Sequence, residues 1–287
     1  MLKIKHRGAS FLIVTLVYAL AVAVGVGTFL LFSSLSLWLS LLLADVLATV
    51  AVFLFSLLFG NASVYDPYWS VQPLVILAAV VIGRGGNLGI ADILLLLAVF
   101  YWGIRLTVNW AYTFHGLTHQ DWRYTMLAEK TGKAYPLINF LGIHMFPTLV
   151  VYSCILPAVY ALCEGGNANL ITVLGFVLSL LAATLQLVAD TQMQSFRKGA
   201  QGGFIGNGLW KYARHPNYLG EILMWWGVAL MATSVMPERW YLAFGALLNT
   251  LMFLVVSIPM ADHRQAKKDG YAAYRERTRS LLPIPKH

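Results

Sequence analysis

In this chain of 287 residues, 59% are hydrophobic and only 11% charged. A soluble domain carries about 25% charged residues, so the composition excludes one. The net charge of +8 comes from basic residues between or after apolar runs, the pattern of cytoplasm-facing loops, and not from a nucleic-acid-binding surface.

Lys3, Lys5 and Arg7 precede an apolar run from Ser10 to Leu31. That run is long enough to span a bilayer and no small-residue cleavage pattern is obvious. It therefore reads as a retained first helix rather than a signal peptide. Further apolar runs follow at 36–59, 70–82, 89–110, 137–162, 168–189, 219–236 and 239–260. The third falls short of the roughly 20 residues a span needs, and Gly83-Arg84-Gly85-Gly86-Asn87 follows it, so a tilted or half-length helix is expected there. Basic residues cluster at 3–7, 123–133, 197–214 and 264–286. All four clusters share one side of the membrane only if an even number of spans separates each pair. Counting the short run meets that condition. The expected protein is an all-α, polytopic helical bundle of seven to eight transmembrane helices, a single domain over 1–287. Both termini would be cytoplasmic, and a bacterial inner membrane is the expected host. Cys154 and Cys163 fall in one apolar run. On one helix they would lie about 13 Å apart, too far for a disulfide, and they read as packing residues. No Cys/His cluster points to a metal.

Polar residues at membrane depth are costly and mark functional sites by default. Asp45 lies mid-run in the second helix, as a partner for a hydrogen-bond donor or a satisfied structural acid. Tyr65-Asp66-Pro67-Tyr68-Trp69-Ser70-Val71-Gln72-Pro73 lies between runs two and three. Its prolines limit helix and reorient the chain. Asp66 there reads either as a carbonyl-binding acid or as a cap for the third helix within an interfacial aromatic belt. Arg105 lies within the fourth apolar run and needs a partner or an anion, unless it snorkels to the surface. The loop over 111–136 is rich in aromatic and polar groups, among them Tyr112, His115, His119, Asp121, Trp122, Arg123 and Tyr124.

The densest constellation is Asp190, Arg197, Tyr212, Arg214, His215, Asn217 and Glu221, wedged between two long apolar runs. Arg forks suit phosphate oxygens, Tyr offers a stacking face, and Asn both donates and accepts. Pro216 fits the first turn of a helix, and Glu221 then falls one turn beyond Asn217 on the same face. A positive-inside loop accounts for the basic residues here but not for Asp190, Asn217 and Glu221. The tail beyond Ala261 has the spacing of a short amphipathic helix at the membrane surface. A large anion with an aromatic part, entering from the water side, is the expected ligand.

At these residues the chain resembles the membrane steroid 5-alpha-reductase superfamily, and most of all its bacterial branch of unknown function, DUF1295. Sterol C14-reductases and, more distantly, isoprenylcysteine carboxyl methyltransferases are relatives. The likeness is strongest over 186–283. It rests on Asp190, Arg197-Lys198-Gly199, Gly208-Leu209-Trp210-Lys211-Tyr212, Asn217-Tyr218-Leu219-Gly220-Glu221 and Trp226-Gly227, in order and spacing. The resemblance implies NADPH as cofactor, in a cytoplasm-facing cavity. It implies cofactor roles for Arg105, Asp190, Arg197, Lys198, Tyr212, Arg214, His215, Asn217, Tyr218, Glu221, His263 and Tyr274. It makes 1–110 the substrate side and 186–287 the cofactor-binding region. Asp66 lies where those reductases place a Glu that bonds the substrate carbonyl, and Trp102, beside Tyr101, stands where they have a catalytic Tyr. Carbonyl activation is therefore expected to differ and to fall to Asp66 with Tyr101 or Tyr68, while Trp69 and Trp102 line the substrate. The expected reaction reduces a double bond conjugated to a carbonyl in a hydrophobic, steroid-like or isoprenoid substrate that enters from the lipid. Alternatives are an S-adenosylmethionine-dependent methyltransferase, because Arg214-His215-Pro216-Asn217-Tyr218 has a counterpart in that relative family, and a catalytically inactive lipid- or sterol-binding protein.

Overall fold

The computed structural model describes residues 4, 6–199 and 202–284; Lys3, Lys5, Lys286 and His287 lie outside the described residues. Within them the chain is helical, with α1 (Arg7–Leu31), α2 (Leu37–Phe59), α3 (Tyr68–Arg84), α4 (Ile90–Thr113), α5 (Trp122–Thr131) and α6 (Tyr135–Ile138) in order. α7 (Phe146–Glu164), α8 (Leu170–Gly199), α9 (Pro216–Val235), α10 (Phe244–Met252), α11 (Ile258–Gln265) and α12 (Tyr271–Arg277) follow. Eight helical segments among the described residues are long and apolar enough to cross a membrane. The chain is a multi-pass integral membrane protein with an all-α fold.

The third span is neither half-length nor broken. A 3₁₀ turn at Ala62–Tyr65 leads into α3, and together they give a segment of 23 residues. Its apolar run looks short because Tyr68 and Gln72 turn inward and are buried while the helix continues through them. Pro73 sits inside α3 rather than ending it. Proline lacks the N–H for one i to i−4 bond, and the helix continues past it to Arg84.

The chain divides into two compact units, residues 1–85 with 106–156, and residues 86–105 with 157–287. In the first, α1 and α2 lead into a core of Val14, Val17, Val52, Val64, Tyr65, Tyr68, Phe114 and Leu117. In the second, α8 and α9 pack directly on each other. The buried face of α8 is small or polar, with Gly175, Ser179, Ala182, Ala183 and Gln186. Its large residues Leu174, Leu181 and Leu187 are exposed. Small residues inside and large apolar ones outside are what helix packing in lipid requires, because only close backbone approach gains contact there. A Cβ on Gly227 would lie 2.7 Å from the Gly175 carbonyl oxygen, and one on Gly220 would lie 2.6 Å from the Ala182 carbonyl oxygen. Glycine is required at both places. This contact brings Gln186 of α8 against Glu221 of α9.

Candidate functional site

Three helices of the second unit each carry polar side chains at helical spacing. α4 has Trp102 and Arg105, α8 has Gln186 and Asp190, and α9 has Asn217, Glu221 and Trp225. Residues three or four apart share a face, so each set points one way. Together they form a continuous hydrogen-bonded array. The Glu221 carboxylate accepts from Trp102 Nε1 at 2.8 Å, from Trp225 Nε1 at 2.9 Å and from Gln186 Nε2 at 3.0 Å. The Gln186 amide oxygen accepts from Arg105, whose Nη1 forms an ion pair with Asp190 Oδ2 at 3.0 Å. Asn217 hydrogen-bonds the same Asp190 carboxylate. Arg105 is therefore buried and paired; it does not snorkel. Two buried atoms of this array are left without a partner, Arg105 Nε and Asn217 Oδ1. Such orphans are rare and costly in a native interior. Asp190, with 17% of its side chain exposed against 4% for Arg105, is the more accessible member of the ion pair.

Beside the start of α9 lies a second polar cluster, centred on Asp262 of α11. Its carboxylate accepts from Arg214 Nη2 at 3.0 Å, His215 Nε2 at 2.9 Å and the Tyr271 hydroxyl at 2.6 Å. Arg214 Nε also donates to Asp262 Oδ1 at 3.3 Å, and the other Arg214 N–H groups go to the Thr278 and Arg275 carbonyls and to Ser280 Oγ. Backbone bonds from Arg214 to Arg279 and from His215 to Ser280 complete the clasp. Tyr274 donates to the Trp210 carbonyl. Burial pushes the Tyr274 phenol up to about 12, so it remains a donor through the physiological range. Tyr271 is pushed up by burial and by the carboxylate it bonds.

The first unit holds two further acids. Asp45 accepts from the Tyr68 hydroxyl at 3.0 Å and from Gln72 Nε2 at 2.8 Å. Asp66 accepts from the Tyr124 hydroxyl at 2.7 Å. It does not cap α3, whose N-cap is Pro67 with no side-chain bond.

The residues expected from sequence thus separate. Arg105, Asp190, Asn217, Glu221 and Trp102 come together in one array. Trp102 is fully buried there, with its N–H on Glu221. Arg214, His215 and Tyr274 belong to the clasp. Every N–H of Arg214 is on a protein acceptor, so it holds the start of α9 and has none to spare for a ligand. Tyr218 stacks on His215, with ring centroids 5.1 Å apart. Arg197 and Lys198, Tyr212 and His263 are exposed. α8 has 30 residues and is about 45 Å long, more than the roughly 30 Å hydrocarbon core, which leaves its charged last turn room to reach water. Asp66, Tyr68 and the half-buried Trp69 lie in the first unit, whereas Tyr101 lies in the second, with its hydroxyl on Thr184 at 3.1 Å. Tyr68 bonds Asp45 and not Asp66. Sequence reasoning missed Gln186, Trp225, Asp262 and Tyr124 as members of these clusters. Gln186 had a signal, a polar residue four before Asp190 on an otherwise apolar helix. Among the described residues no group of His, Cys, Asp and Glu is arranged to hold a metal.

The family model for DUF1295, a protein of unknown function, matches residues 52–278. The chain belongs to the DUF1295 family. The match takes in the α4–α8–α9 array, Asp66 with Tyr124, and the Arg214, His215, Asp262 and Tyr271 side chains of the clasp; Asp45 lies before it. An uncharacterized protein of Schizosaccharomyces pombe is similar, 27% identical over 218 residues that cover 66% of this chain and 61% of the relative. The chain therefore spans about six-tenths of that relative's length. No solved structure matches it.

Proposed function

We propose that this DUF1295 protein is an NADPH-dependent reductase acting on a carbon–carbon double bond conjugated to a carbonyl in a hydrophobic, steroid-like or isoprenoid substrate. The observation that carries the reading is the pair of orphaned buried atoms on the two partners of Asp190. Arg105 Nε is a donor and Asn217 Oδ1 an acceptor. A primary carboxamide offers one acceptor and donors of its own, so the pair suits the carboxamide of a nicotinamide. The residues present fit that cofactor in two further ways. Arg197 and Lys198 are exposed at the end of α8, where cations meet phosphate. The stacked His215 and Tyr218 rings offer an aromatic surface beside Asn217.

When bound, a nicotinamide dinucleotide supplies hydride to the β-carbon of the substrate. The chain's own residues do the rest. Arg105, Asp190 and Asn217 hold the carboxamide end. Glu221 and Gln186 act at one remove by fixing the Arg105 fork, and the Asp262 clasp fixes the start of the helix that carries Asn217. Asp66 bonds the substrate carbonyl and steadies charge developing on its oxygen. A substrate of this polarity reaches the protein from the lipid, and the termini lie on the cofactor's side of the membrane.

Equilibrium binding to the purified protein in detergent tests the reading, with NADPH as ligand and NADH and S-adenosylmethionine as competitors. Asn217→Ala is expected to weaken NADPH binding about tenfold while leaving the melting temperature unchanged. Wild-type affinity in that variant defeats the site. Binding of S-adenosylmethionine alone moves the chain to the methyltransferases, and binding of none of the three leaves a lipid-binding protein.

A further inference from the structure

Between α6 and α7, in the first unit, the backbone winds into a π-helix over Asn139–Met145. Such turns are rare and recur at functional sites. Residues five apart on an α-helix diverge by about 140°, but a turn bonded from i to i+5 brings them to one face. Here they are Asn139 and His144, 2% and 0% exposed. Both meet one stretch of α2. Asn139 Nδ2 donates to Ser56 Oγ at 3.0 Å, and the His144 ring lies 5.4 Å from the Phe53 ring, centroid to centroid. Tyr65 packs on the same imidazole at 4.7 Å.

The bonds already made decide what these two side chains have left. His144 Nδ1 lies 3.0 Å from the Asn139 carbonyl oxygen, which only accepts, so Nδ1 carries the hydrogen. A second hydrogen on Nε2 would bury a charge with nothing to accept it, so Nε2 keeps its lone pair. The Ser56 hydroxyl spends its hydrogen on the Phe53 carbonyl at 2.8 Å. It therefore accepts from the Asn139 amide nitrogen and leaves the amide oxygen as a second acceptor. His144 Nε2 and Asn139 Oδ1 are both buried and both without a partner, which is costly. The neighbouring hydroxyls are satisfied: Thr148, one turn beyond His144, is bonded to Thr49 at 3.2 Å and to Tyr65 at 2.9 Å. Two orphaned acceptors call for one atom that carries at least two hydrogens. A hydroxyl has only one to give, whereas a primary ammonium has three. The Phe53 and Tyr65 rings beside the imidazole offer faces to its charge.

The place of the turn suits a lipid head group. α2 has 23 residues and is about 35 Å long, more than the roughly 30 Å hydrocarbon core, so its last turn, which holds Ser56, reaches head-group level. Phe53 and Phe140, half-buried rings 4.9 Å apart, form a thin wall over His144. Gly142 beside them is exposed and has no side chain to add to that wall. Lys130 and Lys133 are exposed shortly before α6, where cations suit a lipid phosphate.

We propose that the π-turn binds the primary ammonium head of a phospholipid, with His144 Nε2 and Asn139 Oδ1 each accepting one N–H. The head enters as the Phe140 ring swings aside, and its phosphate stays outside with Lys130 and Lys133. The site lies wholly within the first unit and is independent of the reductase reading.

The test uses the full chain in nanodiscs of phosphatidylcholine, whose head has no N–H, and in nanodiscs that also contain phosphatidylethanolamine, whose head has three. Wild type is expected to melt about 2–4 °C higher in the second and to carry an ethanolamine lipid into native mass spectrometry. His144→Phe and, separately, Asn139→Leu are expected to lose both the gain and the lipid; either variant suffices should the other not fold. A gain that the variants keep is an effect of the bilayer and overturns the site. No gain in wild type makes water the occupant and overturns it as well. The same gain from soluble phosphoethanolamine in phosphatidylcholine nanodiscs overturns the lipid as the source of the ammonium.

Discussion

In the second unit, Asp190 meets a guanidinium, Asp262 a guanidinium and an imidazole, and Glu221 two indoles and an amide. In the first, Asp45 and Asp66 meet phenols and one amide, all neutral donors. Both units bury acids where burial is expensive, but they meet the expense in different ways. A buried ion pair commits both partners, since removing either leaves the other charge uncompensated. A carboxyl bonded to a phenol can gain or lose a proton without stranding an opposite charge. Two of the second unit's three acids are held in ion pairs, whereas Asp45 and Asp66 in the first accept from neutral donors.

The sharpest way to break that contrast is one isosteric change made in each unit. Asp262→Asn strands the buried Arg214 and is expected to cost roughly 3–5 kcal/mol. It should appear as a large drop in melting temperature and early proteolysis within 262–280. Asp45→Asn removes no charge partner and should cost about 1 kcal/mol. Equal costs in the two variants would dissolve the distinction. A smaller effect tests the packing that delivers Gln186 to Glu221. Gly227→Ala forces a methyl against the Gly175 carbonyl and should cost about 1–3 kcal/mol, read as a lower melting temperature.

The smallest effect is in pH. The Tyr274 phenol lies at about 12 in the folded chain against an ordinary 10, and Tyr271 is raised as well. Below pH 10 both phenols are protonated in both states, so their stabilisation is fully present. Between pH 10 and about 12 the unfolded chain gives up the Tyr274 proton while the folded one keeps it, and stability falls. Stability measured by denaturant in that window should decline with pH, and Tyr274→Phe should flatten the decline. A slope that the variant leaves unchanged would place the titration elsewhere.

Much of this was legible in the chain. Seven to eight spans follow from the apolar runs, and Pro216 begins α9 as its position implied. Asp190, Asn217 and Glu221 stand out because nothing bland explains an amide and acids inside or beside apolar helices. Their partners were not legible. Gln186 meets Arg105 across 81 residues, Arg214 meets Asp262 across 48, and Asp66 meets Tyr124 across 58. No local period encodes such pairings. Arg214 is the instructive case. Its residue type and its Pro–Asn neighbours suited an anion, yet a carboxylate from α11 and carbonyls from the tail occupy its whole fork.

Composition and the spacing of apolar residues by themselves determined that this chain is a multi-pass helical membrane protein, because the cost of unpaired backbone in lipid leaves a chain this apolar little choice but helices. They also determined which polar residues are too costly to be incidental. Only the tertiary structure decided which donor faces which acceptor. A hydrogen bond needs two groups within about 3 Å in the right orientation, and that is set by how the helices pack, which no single segment specifies.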